Sequence, residues 1–188
     1  MTNKMIWETL STEYIVRHKY FVARQDVCRM QNGKIIEPYF VVELPPTATA
    51  LALTEEGKVV LVKQYRHPIG EVIYETPGGF IDQGEDAVTG MKRELLEETG
   101  YTFSKVEHLG RLAANPALLT NFTDFFLATG GKKTAGQQLD DNEEIDIVLV
   151  SMEELQDMLK RQDIKQSLHV NCIFYGLMKL GLFGLSSR

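Results

Sequence analysis

The sequence predicts a mixed α/β fold, and three observations carry that prediction. β-rich runs recur through the first two thirds of the chain. A helical segment with an apolar stripe interrupts them at residues 86–98, and two further helical segments close the chain. No internal repeat or low-complexity tract interferes with this pattern.

Taken in order, residues 1–19 lack strong periodicity and read as a short irregular lead-in anchored by Trp7 and Tyr14. The runs Tyr20–Arg29 and Ile35–Leu44, separated by Gln31-Asn32-Gly33-Lys34, predict a hairpin, because Asn-Gly tolerates the positive φ of a tight turn. Pro45-Pro46 closes that unit, so residues 1–46 form an N-terminal hairpin extension to a core of residues 47–188. A second strand pair follows, Ala48–Leu53 and Val59–Tyr65, and then a strand Glu71–Thr76 that ends at Pro77-Gly78-Gly79. The helix Asp86–Glu98 buries Ala87, Met91 and Leu95 and stops at Gly100, a residue suited to the left-handed C-cap. Gly90, mid-helix, costs about 0.5–1 kcal/mol relative to alanine, which close packing on the sheet would offset. Lys105–Ala114 and Phe122–Ala128 read as strands around the Asn115-Pro116 turn. Gly130–Asn142 reads as a long loop, a length often tied to function. Ile145–Val150 is a strand, Ser151-Met152-Glu153-Glu154 is a capping box opening a helix to Gln162, and a last helix covers Leu168–Leu182.

At 188 residues the chain is long enough for one domain with an attachment, and 44% apolar residues support a core. The net charge of −6, with no Lys/Arg run, argues against nucleic acid as a partner. Cys28 and Cys172 lie far apart and read as buried free thiols. MTNKMIWETL holds no apolar signal region, and the tail from Val170 to Leu185 is too short and too interrupted to span a bilayer, so a cytoplasmic protein without a membrane partner is expected. His18, His67, His108 and His169 stand apart from one another in no metal-ligand spacing.

The chemistry concentrates between Gly79 and Tyr101. Glu94, Glu97 and Glu98 fall at i, i+3 and i+4, which sets three carboxylates on one helix face. Like charges at that spacing destabilise a helix by about 0.2–0.5 kcal/mol per pair. A hard divalent cation removes the conflict, since Mg²⁺ takes oxygen ligands and retains waters and a substrate phosphate. Alone, such a cluster reads as a solvated acidic face; its setting says otherwise. Five residues separate Gly79 from Glu85, and seven more precede Arg93-Glu94, followed by Leu95, Leu96, Glu97, Glu98, Thr99, Gly100 and Tyr101.

This resembles the signature of the Nudix hydrolases, G-x5-E-x7-R-E-U-x-E-E-x-G-U with U a bulky apolar residue. Every fixed position matches, and the last U is a tyrosine. The resemblance implies a Nudix-type α/β/α sandwich with a mixed sheet, holding Mg²⁺ or Mn²⁺ and cleaving a nucleoside diphosphate linked to another group. It makes Glu94, Glu97 and Glu98 metal ligands, assisted by the Gly79 carbonyl and Glu85. Glu97 and Glu98 also count as catalytic, and Arg93 orients Glu97.

Outside the box, Val60-Leu61-Val62-Lys63-Gln64-Tyr65-Arg66 and Tyr74-Glu75-Thr76-Pro77-Gly78-Gly79 resemble the ADP-ribose pyrophosphatase branch, as does Pro116, sixteen residues past Gly100. In that branch the N-terminal hairpin exchanges between subunits of a homodimer. The expected substrate is therefore a nucleotide sugar, ADP-ribose first and GDP-mannose as the rival. An ADP-ribose sensor without activity is the reading from another class, set aside because the box acids are all present. Arg66 and Arg24 are candidate phosphate ligands, Tyr20 a base-stacking candidate, and Glu75 and Pro116 candidate substrate contacts. The loop acids Asp140, Asp141, Glu143 and Glu144 align with the segment that supplies a base in the branch, and Glu143, just before a strand, is the choice. Asn121 departs from the branch where some members carry a metal-associated glutamate. Asp124 either compensates or faces solvent.

Overall fold

A computed structural model describes residues 5–140 and 143–183. Two compact units emerge, one built on residues up to Pro45 with Ala113–Asn121, the other on Pro46–Leu112 and the chain from Phe122 on.

In the first unit, β1 (Glu8–His18), β2 (Phe21–Arg29) and β3 (Ile35–Glu43) form an antiparallel sheet in the order β1-β2-β3. The expected β2–β3 hairpin is present, turning at Met30–Lys34 with Gly33 at φ +84°. β1 corrects the irregular lead-in read from residues 1–19. All eleven of its residues are exposed, and its register shifts at Thr9/Ser11 and Tyr14/Val16. A strand that buries neither face carries no alternation to read. The segment 113–121 docks on β3, where the Val42 N–H donates to the Leu118 carbonyl at 2.8 Å and the Thr120 N–H to the Val42 carbonyl at 3.1 Å.

In the second unit, a seven-stranded mixed sheet holds β4 (Thr47–Thr54), β5 (Val59–Arg66), β6 (Glu71–Glu75), β7 (Gly78–Phe80), β8 (Tyr101–Leu112), β9 (Thr123–Lys133) and β10 (Ile145–Val150). The order is β10-β5-β4-β9-β8, with β6 on β5 and β7 on β4. β4 and β9 run parallel. The predicted β4–β5 pair shares only Ala52 with Val60 and Leu53 with Val59. β4 spends its other positions on β7 and β9, because a strand buried on both faces sits centrally and its partners are not written in its own pattern.

Helix α1 (Ala87–Thr99) covers one face of the sheet, where Met91 and Leu95 pack on Ala48, Ala50, Ala52, Val60 and Phe126. α2 (Met152–Arg161) and α3 (Ser167–Lys179) cover the other, with Leu155, Met158, Ile173 and Leu177 packing on Leu51, Val59, Leu61 and Leu127. The fold is the expected α/β/α sandwich. Its two faces differ by design of size: alanines of β4 let α1 approach, while α3 approaches β4 through Gly176, where a Cβ would lie 2.4 Å from Leu51 Cδ2. Each fully buried leucine or isoleucine here contributes about 1.5–3 kcal/mol.

The boundaries of β8 and β9 move, and β8 starts at Tyr101 rather than at the expected Lys105. β9 continues to Lys133, so Gly130–Lys133 belong to a strand rather than to the predicted loop. Pairing of Gly131–Lys133 with Tyr101–Phe103 of β8 holds them extended, a constraint no glycine count reveals. The capping box of Ser151 and Glu154 forms as read.

Candidate active site

The box begins on β7 and continues through α1, both in the second unit. Asp86 caps α1, accepting from the Val88 and Thr89 N–H groups at 3.0 and 3.1 Å, which satisfies donors a helix start leaves orphaned. Gly100 ends the helix at φ +70°, and a Cβ there would lie 2.3 Å from the Ala135 carbonyl oxygen. Residues 134–138 fold over this terminus. The Gln138 N–H donates to the Glu97 carbonyl at 2.8 Å, and Gln137 Nε2 donates to the Glu98 carbonyl at 2.7 Å and to that of Ile145 at 3.0 Å. Gln137 and Gln138, unremarked in the sequence, thus fasten the loop that carries Glu143 to the helix that carries the box.

β7 meets α1 through the box itself. The Gly78 N–H donates to Glu98 Oε2 at 2.8 Å, and Arg93 Nη2 donates to the Phe80 carbonyl at 2.9 Å. Glu94 fills the space beside Gly79, where a Cβ would sit 2.6 Å from Glu94 Oε2. Gly78 is held at φ +154° with Ala48 so close that a Cβ would lie 2.1 Å from its carbonyl oxygen. Glycine at 78 is a steric requirement of strand β7, because backbone atoms of β4 crowd it, whereas at 79 a Cβ would displace the Glu94 carboxylate.

Arg93 does more than orient Glu97. Its guanidinium donates to Glu85 at 3.1 and 3.3 Å, to Glu94 Oε1 at 2.8 Å and to Glu97 Oε2 at 2.9 Å. The Arg93 hydrogen bond draws the Glu85 carboxyl below its ordinary range. Gly90 lies beside the same group: a Cβ there would sit 2.9 Å from Glu85 Oε2 and 3.5 Å from Ile81 Cγ1.

Glu98 differs from these. It is 4% exposed, and burial pushes its carboxyl up to about 8, with the charges of Glu94 and Glu143 adding to the rise while Gly78 N–H and Arg66 oppose it. Glu94 is also raised, by burial first and by Glu97 and Glu143, against the pull of Arg93. Glu143 therefore lies within electrostatic reach of both, although sequence alone placed it only in a loop. Asp141 lies outside the described residues. The Asp140 N–H donates to Glu143 Oε2 at 3.1 Å.

Among the described residues, no three acidic, histidine or cysteine side chains already form a group able to hold a metal ion. The donor set nevertheless fits a hard divalent cation. Among those residues, Glu94 Oε2, Glu97 Oε1, Glu98 Oε1 and Glu143 Oε1 accept no hydrogen bond, and all are oxygens whose mutual repulsion a cation would relieve.

Glu75 is 1% exposed, its Oε2 accepting from Gln64 Nε2 at 2.8 Å and from Arg66 Nε and Nη2 at 3.0 and 2.8 Å. Arg66 remains 45% exposed on its side chain. Sequence reading missed His169, which reaches this cluster from α3. Its signal was available: His169, Cys172, Ile173, Gly176 and Leu177 form one buried stripe, so the imidazole had to lie inside.

Arg24, Tyr20 and Pro116 belong to the first unit. Arg24 is engaged by Asp26 at 2.9 Å and Glu43 at 2.7 Å. Tyr20 lies half exposed in the β1–β2 turn with the Lys19 ammonium 4.6 Å from its ring centroid. Pro116 sits in the turn that Asn115 closes by accepting from Leu119 N–H at 2.8 Å. Asn121 Oδ1 is buried without a donor among the described residues. Asp124 is buried and does not face solvent; His108 Nε2 at 2.8 Å and Arg111 at 3.7 Å take its carboxylate.

A glycine-rich strand locked to an acid-bearing helix by that helix's own arginine defines the class, and the NUDIX domain model matches residues 43–169: the chain belongs to the Nudix hydrolase family, whose members generally use a divalent metal. The nucleoside diphosphate sugar hydrolase N-terminal domain matches residues 7–42. The chain is 31% identical to a methanol dehydrogenase activator of Bacillus methanolicus, over 89% of this chain and 91% of that one. It is 28% identical to an ADP-ribose pyrophosphatase of Bacillus subtilis (strain 168), over 93% and 95%. A GDP-mannose pyrophosphatase of Enterobacter sp. (strain 638) is 31% identical over 80% and 85%. A crystal structure titled as an ADP compounds hydrolase superposes with a TM-score of 0.79 at 18% identity, covering 94% of this chain and 97% of that one, which speaks to the fold.

Proposed function

We propose that this chain hydrolyses the pyrophosphate of a nucleoside diphosphate sugar, ADP-ribose first, to AMP and ribose 5-phosphate. One observation carries the reading: buried Glu98, half-buried Glu94 and exposed Glu143 converge closely enough that Glu94 and Glu143 both oppose ionisation of Glu98, a crowding of carboxylates that a bound metal would relieve. Mg²⁺ or Mn²⁺ would supply charge neutralisation on the diphosphate and an activated water. Glu94, Glu97 and Glu98, each with one carboxylate oxygen open among the described residues, would be the ligands, with the Gly79 carbonyl assisting. Arg93 holds both carboxylate oxygens of Glu85 and one oxygen each of Glu94 and Glu97, which sets the rest of the face. Glu143 accepts the proton of the attacking water, and Arg66, braced on Glu75, takes substrate phosphate. In the first unit, the engagement of Arg24 by Asp26 and Glu43 favours a structural part for it.

The names of the Bacillus subtilis and Enterobacter relatives support a nucleotide sugar and leave ADP-ribose and GDP-mannose as the contenders. A panel of ADP-ribose, GDP-mannose, UDP-glucose and NADH with Mg²⁺, scored by product release, separates them. Preference for ADP-ribose is expected, and equal rates on all four defeat that choice.

The 1–46 extension serves as the dimerisation element of a homodimer. β1 exposes Leu10, Tyr14, Ile15 and Val16 together, an apolar display that a second copy would cover. A monomer by light scattering rejects this. A cytoplasmic setting accords with two buried free cysteines. Among the described residues, no helix is long and apolar enough to cross a membrane.

A further inference from the structure

His169 stands in the first turn of α3, 7% exposed and remote in sequence from every box residue. The Thr76 N–H donates to its Nδ1 at 3.1 Å. A backbone amide can only donate, so Nδ1 is an acceptor and the ring proton sits on Nε2. That Nε2 faces Glu75 Oε1 at 3.5 Å. Burial holds the imidazole well below its ordinary range, at about 4, so it stays neutral. Glu75 thus has a neighbour at each oxygen: Gln64 and Arg66 hydrogen-bond Oε2, and His169 Nε2 lies 3.5 Å from Oε1. Both nitrogens that Arg66 commits to Glu75 lie on one edge of its guanidinium; Nη1 takes no partner among the described residues.

We propose that His169 is a positioning residue: anchored on the Thr76 backbone, it fixes the Glu75 carboxylate and through it the guanidinium edge that Arg66 turns to the substrate diphosphate. This deepens the hydrolase reading and rests on it. His169 acts through Glu75 and Arg66 and touches no reacting atom. Its effect therefore falls on substrate binding rather than turnover.

Steady-state assays with ADP-ribose and Mg²⁺ on His169→Asn, His169→Gln, Arg66→Ala and the double variant R66A/H169N test this. Asparagine keeps an acceptor for Thr76 but cannot reach Glu75, whereas glutamine places an N–H near the Nε2 position. H169N is expected to raise KM about tenfold at unchanged kcat, and H169Q to return it to within about twofold. In the R66A background, H169N adds nothing further, because the two act in one chain. If H169N raises KM equally with and without Arg66, or lowers kcat and thermal stability alone, His169 is merely structural. If R66A itself leaves KM untouched, the substrate role of Arg66 fails and the inference with it. If R66A raises KM and H169N does not, the inference alone fails. Should H169N not fold, the folded H169Q decides: KM within twofold supports the proposal and a tenfold rise overturns it.

Discussion

Glu98 makes the metal-free protein sensitive to pH in a calculable direction. Its folded value near 8 lies above the ordinary carboxyl value of 4.5, so between those limits the folded state holds a proton the unfolded state has lost. Stability from this group is complete below about 4.5 and is lost as pH rises toward 8. Glu94, also raised, acts in the same sense. His169 acts in the opposite sense, because its folded value near 4 lies below 6.5 and the unfolded chain takes up the proton between them. The two effects offset each other from about 4.5 to 6.5, and above that the raised carboxyl of Glu98 is no longer opposed by His169. With one proton released on unfolding, the stability of chelator-treated protein should fall by roughly 1.4 kcal/mol per pH unit over the steepest part of that upper range. Urea unfolding at pH 6.5, 7.0, 7.5 and 8.0, followed by circular dichroism, measures it. Glu98→Gln should flatten the slope, and Mg²⁺ should oppose it in the wild type by favouring the ionised carboxylate. A wild type whose midpoint is flat over this range, or an E98Q variant with the wild-type slope, would refute the reasoning.

Three further outcomes are expected. Glu98→Gln should reduce hydrolysis by on the order of 10²-fold or more with the fold intact by circular dichroism, and Glu97→Gln, which also loosens Arg93, by a similar factor; a variant with wild-type kcat removes that residue from the machinery. Glu143→Gln should lower kcat with little change in KM, and unchanged turnover rejects it as the base. Gly100→Ala should lower stability by about 1–3 kcal/mol, since positive φ and the Ala135 carbonyl at 2.3 Å both oppose a Cβ. A thermal midpoint equal to wild type would show that residues 134–138 simply move aside.

Much of the chain was legible because local rules sufficed. Asp86, Gly100 and the Ser151–Glu154 pair marked helix ends through groups a few residues away. β1 was hidden because it buries nothing, and the reach of β9 was hidden because β8 sets it. Asp124 read either as a site residue or as a strand residue facing water, and it proves buried with His108, sixteen positions distant, as a partner.

By itself, the sequence determined the family and the acids, because the spacing of Gly79, Glu85, Arg93, Glu94, Glu97 and Glu98 is a property of one strand, one turn and one helix. Tertiary structure decided which of those acids are engaged and which remain open. Arg93 holds three of them, Glu98 is buried against Gly78, and Glu143 is brought beside them by glutamines that cap the helix. It also decided that His169 of α3 meets Glu75 of β6, a contact between residues far apart in the chain. Burial and long-range pairing shift charge and fix side chains, and neither is written in neighbouring residues.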